Sequence, residues 1–127
     1  MVERYVVSLE LAKKLKEAGW NKPTLHFWVK GEIGNPFVVD YELAKSFEIL
    51  APAPLAEEIL EELPKRITKP MVTYWLDISF IKRSNIVKYI EYDWLHILID
   101  KEAPKLSDAL AQLWLWLKEH GYLEEKL

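Results

Sequence analysis

Cysteine is absent from this chain. Its absence excludes disulfides, thiolate zinc sites and a cysteine nucleophile together, and it suits a reducing cytoplasm. Glycine is scarce, with four among 127 residues. None is spaced as G-x-G-x-x-G, and no GK[ST] ending or G-x-S-x-G elbow occurs, so Gly31 and Gly34 read as turn residues and not as a phosphate cradle. Positive charge is not in excess: 17 Lys and Arg stand against 20 Asp and Glu, a net charge of -3. A global attraction to nucleic acid or to anionic membrane is therefore not expected. No run approaches the roughly 20 apolar residues of a membrane span. The opening "MVERYVVSLEL" lacks a basic segment ahead of an apolar block, so no secretory leader is expected and the expected location is cytoplasmic.

Half of the residues are hydrophobic and 29% are charged, the balance of a globular chain. The 127 residues are expected to form a single domain, residues 1–127, large enough for a real core. No internal repeat, low-complexity segment or flexible linker interrupts them.

Periodicity and punctuation give the expected elements. "SLELAKKLKEAG" predicts a helix from Ser8, a capping residue, to Gly19, a terminating one. "TLHFWVK" (Thr24–Lys30) alternates as a strand, and "GEIGNP" after it is turn material. Short strands are expected near Phe37–Val39 and Phe47–Leu50. After the extended "APAP", a second helix runs from Leu55 to Leu63. "MVTYWLDISFI" (Met71–Ile81) is the strongest strand: Val72, Tyr74, Leu76, Ile78 and Phe80 line one face, and Thr73, Trp75, Asp77 and Ser79 the other. A turn at "KRSN", a return strand Ile86–Tyr92 and a further strand Trp94–Asp100 make an antiparallel meander. A last helix covers Ser107–His120 and ends at Gly121. The fold class expected is α+β: an antiparallel sheet containing a three-stranded meander, with about three helices packed mainly on one face.

Within the last helix, "LWLWL" (Leu113–Leu117) is five large apolar residues in succession. At about 100° per residue, Leu106, Leu110, Leu113 and Leu117 share one stripe, with Trp116 and Trp114 on its two borders, whereas Leu115 lies about 200° away from Leu113. Leu115 and Trp114 are therefore candidates for self-association, a homodimer in which the same patch is used twice.

Catalytic constellations are sparse. His26, His96 and His120 have no helical-spacing partners suited to a metal, so no metal, cofactor or catalytic residue is assigned. His26 or His96 near Asp77 would be an acid–base pair if the sheet brought them together. The acidic run Glu57, Glu58, Glu61 and Glu62 reads as the wet face of a helix. Arg66, Lys82 and Arg83 fall in loops near Trp75 and Tyr89, and basic loops beside sheet aromatics are a known platform for stacking single-stranded bases. Tyr74, Tyr92 and Trp94 lie in the same part of the sequence.

Three stretches carry a resemblance: "YVVSLELAKKLKEAGW" (Tyr5–Trp20) running on to "HFWV", "APLAEEILEELPKRI" (Ala53–Ile67), and "LSDALAQLWLWLKEHGYL" (Leu106–Leu123). In this order they resemble a family of small uncharacterised proteins encoded by phages and prophages. The resemblance covers about half of the chain, rests on structural motifs, and implies an accessory protein expressed inside a host cell. The family has no assigned activity, so no functional residue is carried over. The function expected is thus a non-enzymatic protein-binding module; the alternative is a single-stranded nucleic-acid-binding module using Arg66, Trp75, Lys82, Arg83 and Tyr89.

Overall fold

The computed structural model describes residues 2–123. A single 3-10 turn at Val2–Arg4 leads into α1 (Leu9–Glu17). The chain continues through β1 (His26–Lys30), β2 (Phe37–Asp40), α2 (Tyr41–Ala44), β3 (Glu48–Pro52) and α3 (Ala56–Leu60). Then follow β4 (Arg66–Lys69), β5 (Val72–Ile81), β6 (Ser84–Ile90), β7 (Ile97–Ala103) and α4 (Leu106–Glu119). The fold class is α+β, as the residue pattern predicts. The described strands form two antiparallel sheets: three strands in the order β2-β1-β3, and a meander of four in the order β4-β5-β6-β7.

The two longer helices end alike. Gly19 and Gly121 both have left-handed backbones, with φ of 99° and 77°. Past them, the Trp20 N–H donates to the Leu15 carbonyl and the Tyr122 N–H to the Leu117 carbonyl, each at 2.9 Å. This closure turns the next aromatic residue back against its own helix. At the start of α1 the Ser8 side chain makes no cap. Instead the Ser8 N–H donates to Asp108 Oδ1 at 2.7 Å, so a carboxylate on α4 ties the entrances of two helices together. The start of α3 is held by Glu58, whose carboxylate accepts the Leu55 N–H at 2.7 Å and the Leu25 N–H at 3.0 Å. One of the glutamates expected on a plain wet face thus joins α3 to the approach to β1.

Helix α4 packs on β6 and β7 with one side and on α1 and α3 with another, while α1 leans on β3. Leu110, Leu113 and Leu117 are fully buried, and Trp114 is only 6% exposed. Trp114 meets Trp20 edge to face, with ring centroids 5.3 Å apart. Leu115 and Trp116 are half-buried and also pack on the core. Helix α4 is enclosed from more than one direction, by the sheet and by α1 and α3, and so buries more than a single stripe. The patch expected at Trp114 and Leu115 is corrected accordingly: Trp114 is interior, and Leu115 offers a partial surface. Trp116 stacks with both His120 and Tyr122, at centroid distances of 4.1 and 5.5 Å.

The inner face of the four-stranded sheet carries Ile67, Tyr74, Leu76, Val87, Tyr89 and Ile99, which join this core. Tyr89 is fully buried, and its hydroxyl donates to the Pro64 carbonyl at 2.6 Å. Burial drives its pKa upward. The β5–β6 turn pairs Ile81 with Ser84 and leaves Lys82 and Arg83 both left-handed, at φ of 51° and 65°. Two-residue hairpins of this hand prefer Asn-Gly, since a side chain costs about 1–2 kcal/mol in that region. The double substitution Lys82→Asn with Arg83→Gly is expected to stabilise the fold by about 1–2 kcal/mol, read as a raised urea midpoint at unchanged slope.

Candidate interaction surface

The face of the four-stranded sheet turned away from α4 is built from alternate residues of each strand. Across it run the row Arg66, Trp75, Ile90, Ile97 and the row Asp77, Lys88, Asp100. The Arg66 guanidinium lies over the Trp75 ring, 5.6 Å from its centroid. Asp77 sits 3.8 Å from the Lys88 ammonium and accepts from the Tyr92 hydroxyl at 3.3 Å. Desolvation, reinforced by the adjoining Asp77 carboxylate, raises the Tyr92 pKa.

At the end of this face the connection Glu91–His96 is organised by one side chain. The Glu91 carboxylate, 5% exposed over the whole residue, turns inward. It accepts the N–H of His96 at 2.8 Å, of Trp94 at 3.0 and 3.1 Å, and of Asp93 at 3.1 Å. The Glu91 N–H in turn donates to the His96 carbonyl at 3.0 Å, closing the loop. The backbone N–H of His96, ahead of those of Trp94 and Asp93, holds the Glu91 carboxyl below the usual carboxylate range, against the opposing effect of desolvation.

Because these peptide groups point inward to the carboxylate, the side chains point out. Trp94 is 79% exposed, and Tyr92, Leu95 and Ile97 are exposed beside it. Leu95 also has a left-handed backbone, φ 59°, a conformation that costs a non-glycine residue about 1–2 kcal/mol. The loop therefore holds a strained leucine and an open indole in place. Strained, outward-facing apolar groups on an ordered frame are where a binding surface is sought.

The residues expected for nucleic-acid contact are dispersed. Arg66 and Trp75 do lie together on the open face. Tyr89 is turned to the opposite side and is buried, so it cannot stack a base there. Lys82 and Arg83 sit at the hairpin tip, seven strand residues and about 23 Å from Trp75. His26 belongs to the three-stranded sheet and His96 to the Glu91 loop. The His96 Nδ1 faces Glu91 Oε1 at 3.8 Å, while the polar contacts of Asp77 go to Ser79, Lys88 and Tyr92. Among the described residues no group of three His, Cys, Asp or Glu is placed to hold a metal, and no helix is long and apolar enough to cross a membrane.

Residue patterning placed the aromatics in this part of the chain but assigned neither their face nor a role to Glu91: Trp75, Tyr92 and Trp94 are exposed, whereas Tyr74 and Tyr89 turn to the core. A carboxylate that braces its own loop leaves no periodic mark. The only local signal is a glutamate at the end of an apolar strand, followed by a polar-aromatic hexapeptide. No family model, curated protein or solved structure matches the chain.

Proposed function

We propose that this chain is a non-enzymatic protein-binding module, an accessory protein of the phage or prophage type acting in the host cytoplasm. The resemblance of three of its segments to such proteins supports the second part of that reading. The observation that carries the first is the Glu91-braced loop, which holds Trp94 and Leu95 outward beside the exposed Tyr92 and Ile97, with Trp75 in the same cross-strand row as Ile97. Exposed aromatic anchors on a rigid frame are the usual centre of a protein–protein contact. The charged residues around them are mixed in sign, with Arg66 and Lys88 among Asp77, Asp93 and Asp100, a rim suited to a protein partner more than to a polyanion.

The experiment is photo-crosslinking from position 94 in the host, followed by purification of the crosslinked protein and titration against the wild-type chain. Trp94→Ala is expected to weaken that interaction by about 30-fold or more, the effect of losing an interface anchor. An affinity unchanged by Trp94→Ala and by Leu95→Ser rejects this surface.

Single-stranded nucleic acid is the second reading, favoured by the Arg66 guanidinium stacked over Trp75. It requires tryptophan quenching by oligonucleotides that weakens as salt rises. Titration at two salt concentrations separates the readings.

A further inference from the structure

Strand β4 pairs with β5 only from Val72 to Trp75. Its approach adds one bond, from the Leu76 N–H to the Lys65 carbonyl at 3.0 Å. From Asp77 to Ile81, β5 is paired with β6 on one side, and among the described residues no strand lies on the other. Backbone groups alternate between the two edges of a strand. Since the Leu76 N–H points to the β4 side, those of Ile78 and Phe80 do too, and the N–H groups of Asp77, Ser79 and Ile81 point to β6. The free edge thus offers the N–H and C=O of Ile78 and Phe80, with both side chains open beside them at 41% and 65% exposure.

Edges of this kind are usually blunted by charge. The outer edge strand at the other side of the same sheet, β7, follows that rule with Asp100, Lys101 and Glu102 in succession. The free part of β5 does not: it has one charge, Asp77, and three exposed apolar side chains, Ile78, Phe80 and Ile81. Cations stand at both of its ends instead. Lys65 and Arg66 lie where β4 begins, and Lys82 and Arg83 form the strained tip. The notch between them is five residues long, or about 17 Å.

This charge arrangement selects the occupant. A second copy pairing antiparallel through both Ile78 and Phe80 would bring its own Lys82 and Arg83 against Lys65 and Arg66, a like-charge contact. We propose that the β5 edge from Asp77 to Ile81 is a docking site for an extended peptide segment with acidic residues at both ends and apolar residues alternating between them. The segment adds as a further strand: its backbone bonds Ile78 and Phe80, its apolar side chains cover those two, and its acidic ends meet the two cationic pairs. This rests on the reading of the chain as a protein-binding module, but it uses a surface other than the Glu91 loop.

The test uses a fluorescein-labelled ten-residue peptide with two glutamates at each end and alternating valine and threonine between them. Anisotropy titration of the full chain is read together with amide hydrogen exchange. In the free protein the Ile78 and Phe80 amides exchange fast, and those of Asp77, Ser79 and Ile81 slowly. Saturating peptide slows Ile78 and Phe80. Phe80→Pro removes an outward N–H without removing a β5–β6 bond and weakens binding by about tenfold or more, a step of the size one lost anchoring contact gives. Should that variant fail to fold, Lys82→Glu with Arg83→Glu keeps the test open: it must weaken the glutamate-ended peptide and strengthen a lysine-ended one. Trp94→Ala leaves the peptide affinity unchanged, so a failure of the loop reading is seen separately. Absence of binding at millimolar peptide overturns the proposal, as does binding that leaves Ile78 and Phe80 exchanging fast. Protection of these amides in the free protein that rises with protein concentration also overturns it, and assigns the edge to a second copy.

Discussion

Replacing Trp114 by alanine is expected to remove about 3–5 kcal/mol of folding stability, the cost of emptying a large aromatic site in a packed core. A domain of this size holds about 5–15 kcal/mol in all, so the variant is left close to unfolding. The indole is interior, with its ring against Trp20, and the fully buried Leu110, Leu113 and Leu117 lie on the same helix. The core around it joins α1, α3, α4 and the inner face of the four-stranded sheet, so a cavity there is felt by all of them. Leu115→Ala one residue along removes a half-buried side chain and costs much less, about 1–2 kcal/mol. Guanidinium denaturation of the two variants distinguishes core from surface. Equal losses at positions 114 and 115 contradict the enclosure of α4 described above.

The second large effect concerns Glu91. Glu91→Gln replaces an acceptor of three backbone N–H groups with an amide that carries its own donors. The amides of Asp93, Trp94 and His96 are expected to lose their exchange protection, and the exposed indole its fixed position, while the core amides of β6 stay protected. The wild-type loop should do the same in acid. Its carboxyl titrates lower in the folded loop than in the unfolded chain. The stabilisation is therefore fully present above the ordinary glutamate pKa of about 4.3 and is lost as pH falls through the lower folded value. Amide exchange at Trp94 followed from pH 7 downward gives the midpoint. A wild-type loop unaffected by acid, with a Glu91→Gln loop equally protected, removes Glu91 from its organising role.

Several elements are legible in the residues because their causes are local. The apolar stripe of α1 and its terminating Gly19, and the alternation of β5, follow from periods and backbone preferences that act within a few residues. The residue pattern marks no strand at β4, since Arg66–Lys69 has one apolar residue, Ile67, between charged and polar ones. It is a strand because β5 lies beside it. Strand β7 begins at Ile97 and not at Trp94, because the Glu91 carboxylate takes the N–H groups of Trp94 and His96 away from any ladder. The turn α2 is likewise settled by a side chain, with the Asp40 carboxylate accepting the Leu43 N–H at 2.9 Å.

By itself, then, the order of residues determined an α+β chain with a meander and a strongly apolar last helix, and it ruled out thiol and phosphate-loop chemistry by what it omits. Tertiary structure decided which of the aromatic residues are hidden. Trp114 became core and Trp94 became surface, although each is a tryptophan beside a leucine along the chain. Burial depends on what lies opposite a side chain, and the elements that lie opposite come from distant parts of the sequence. For the same reason Tyr89 left the expected nucleic-acid set, and Glu91, marked by no pattern, became the residue on which the candidate surface depends.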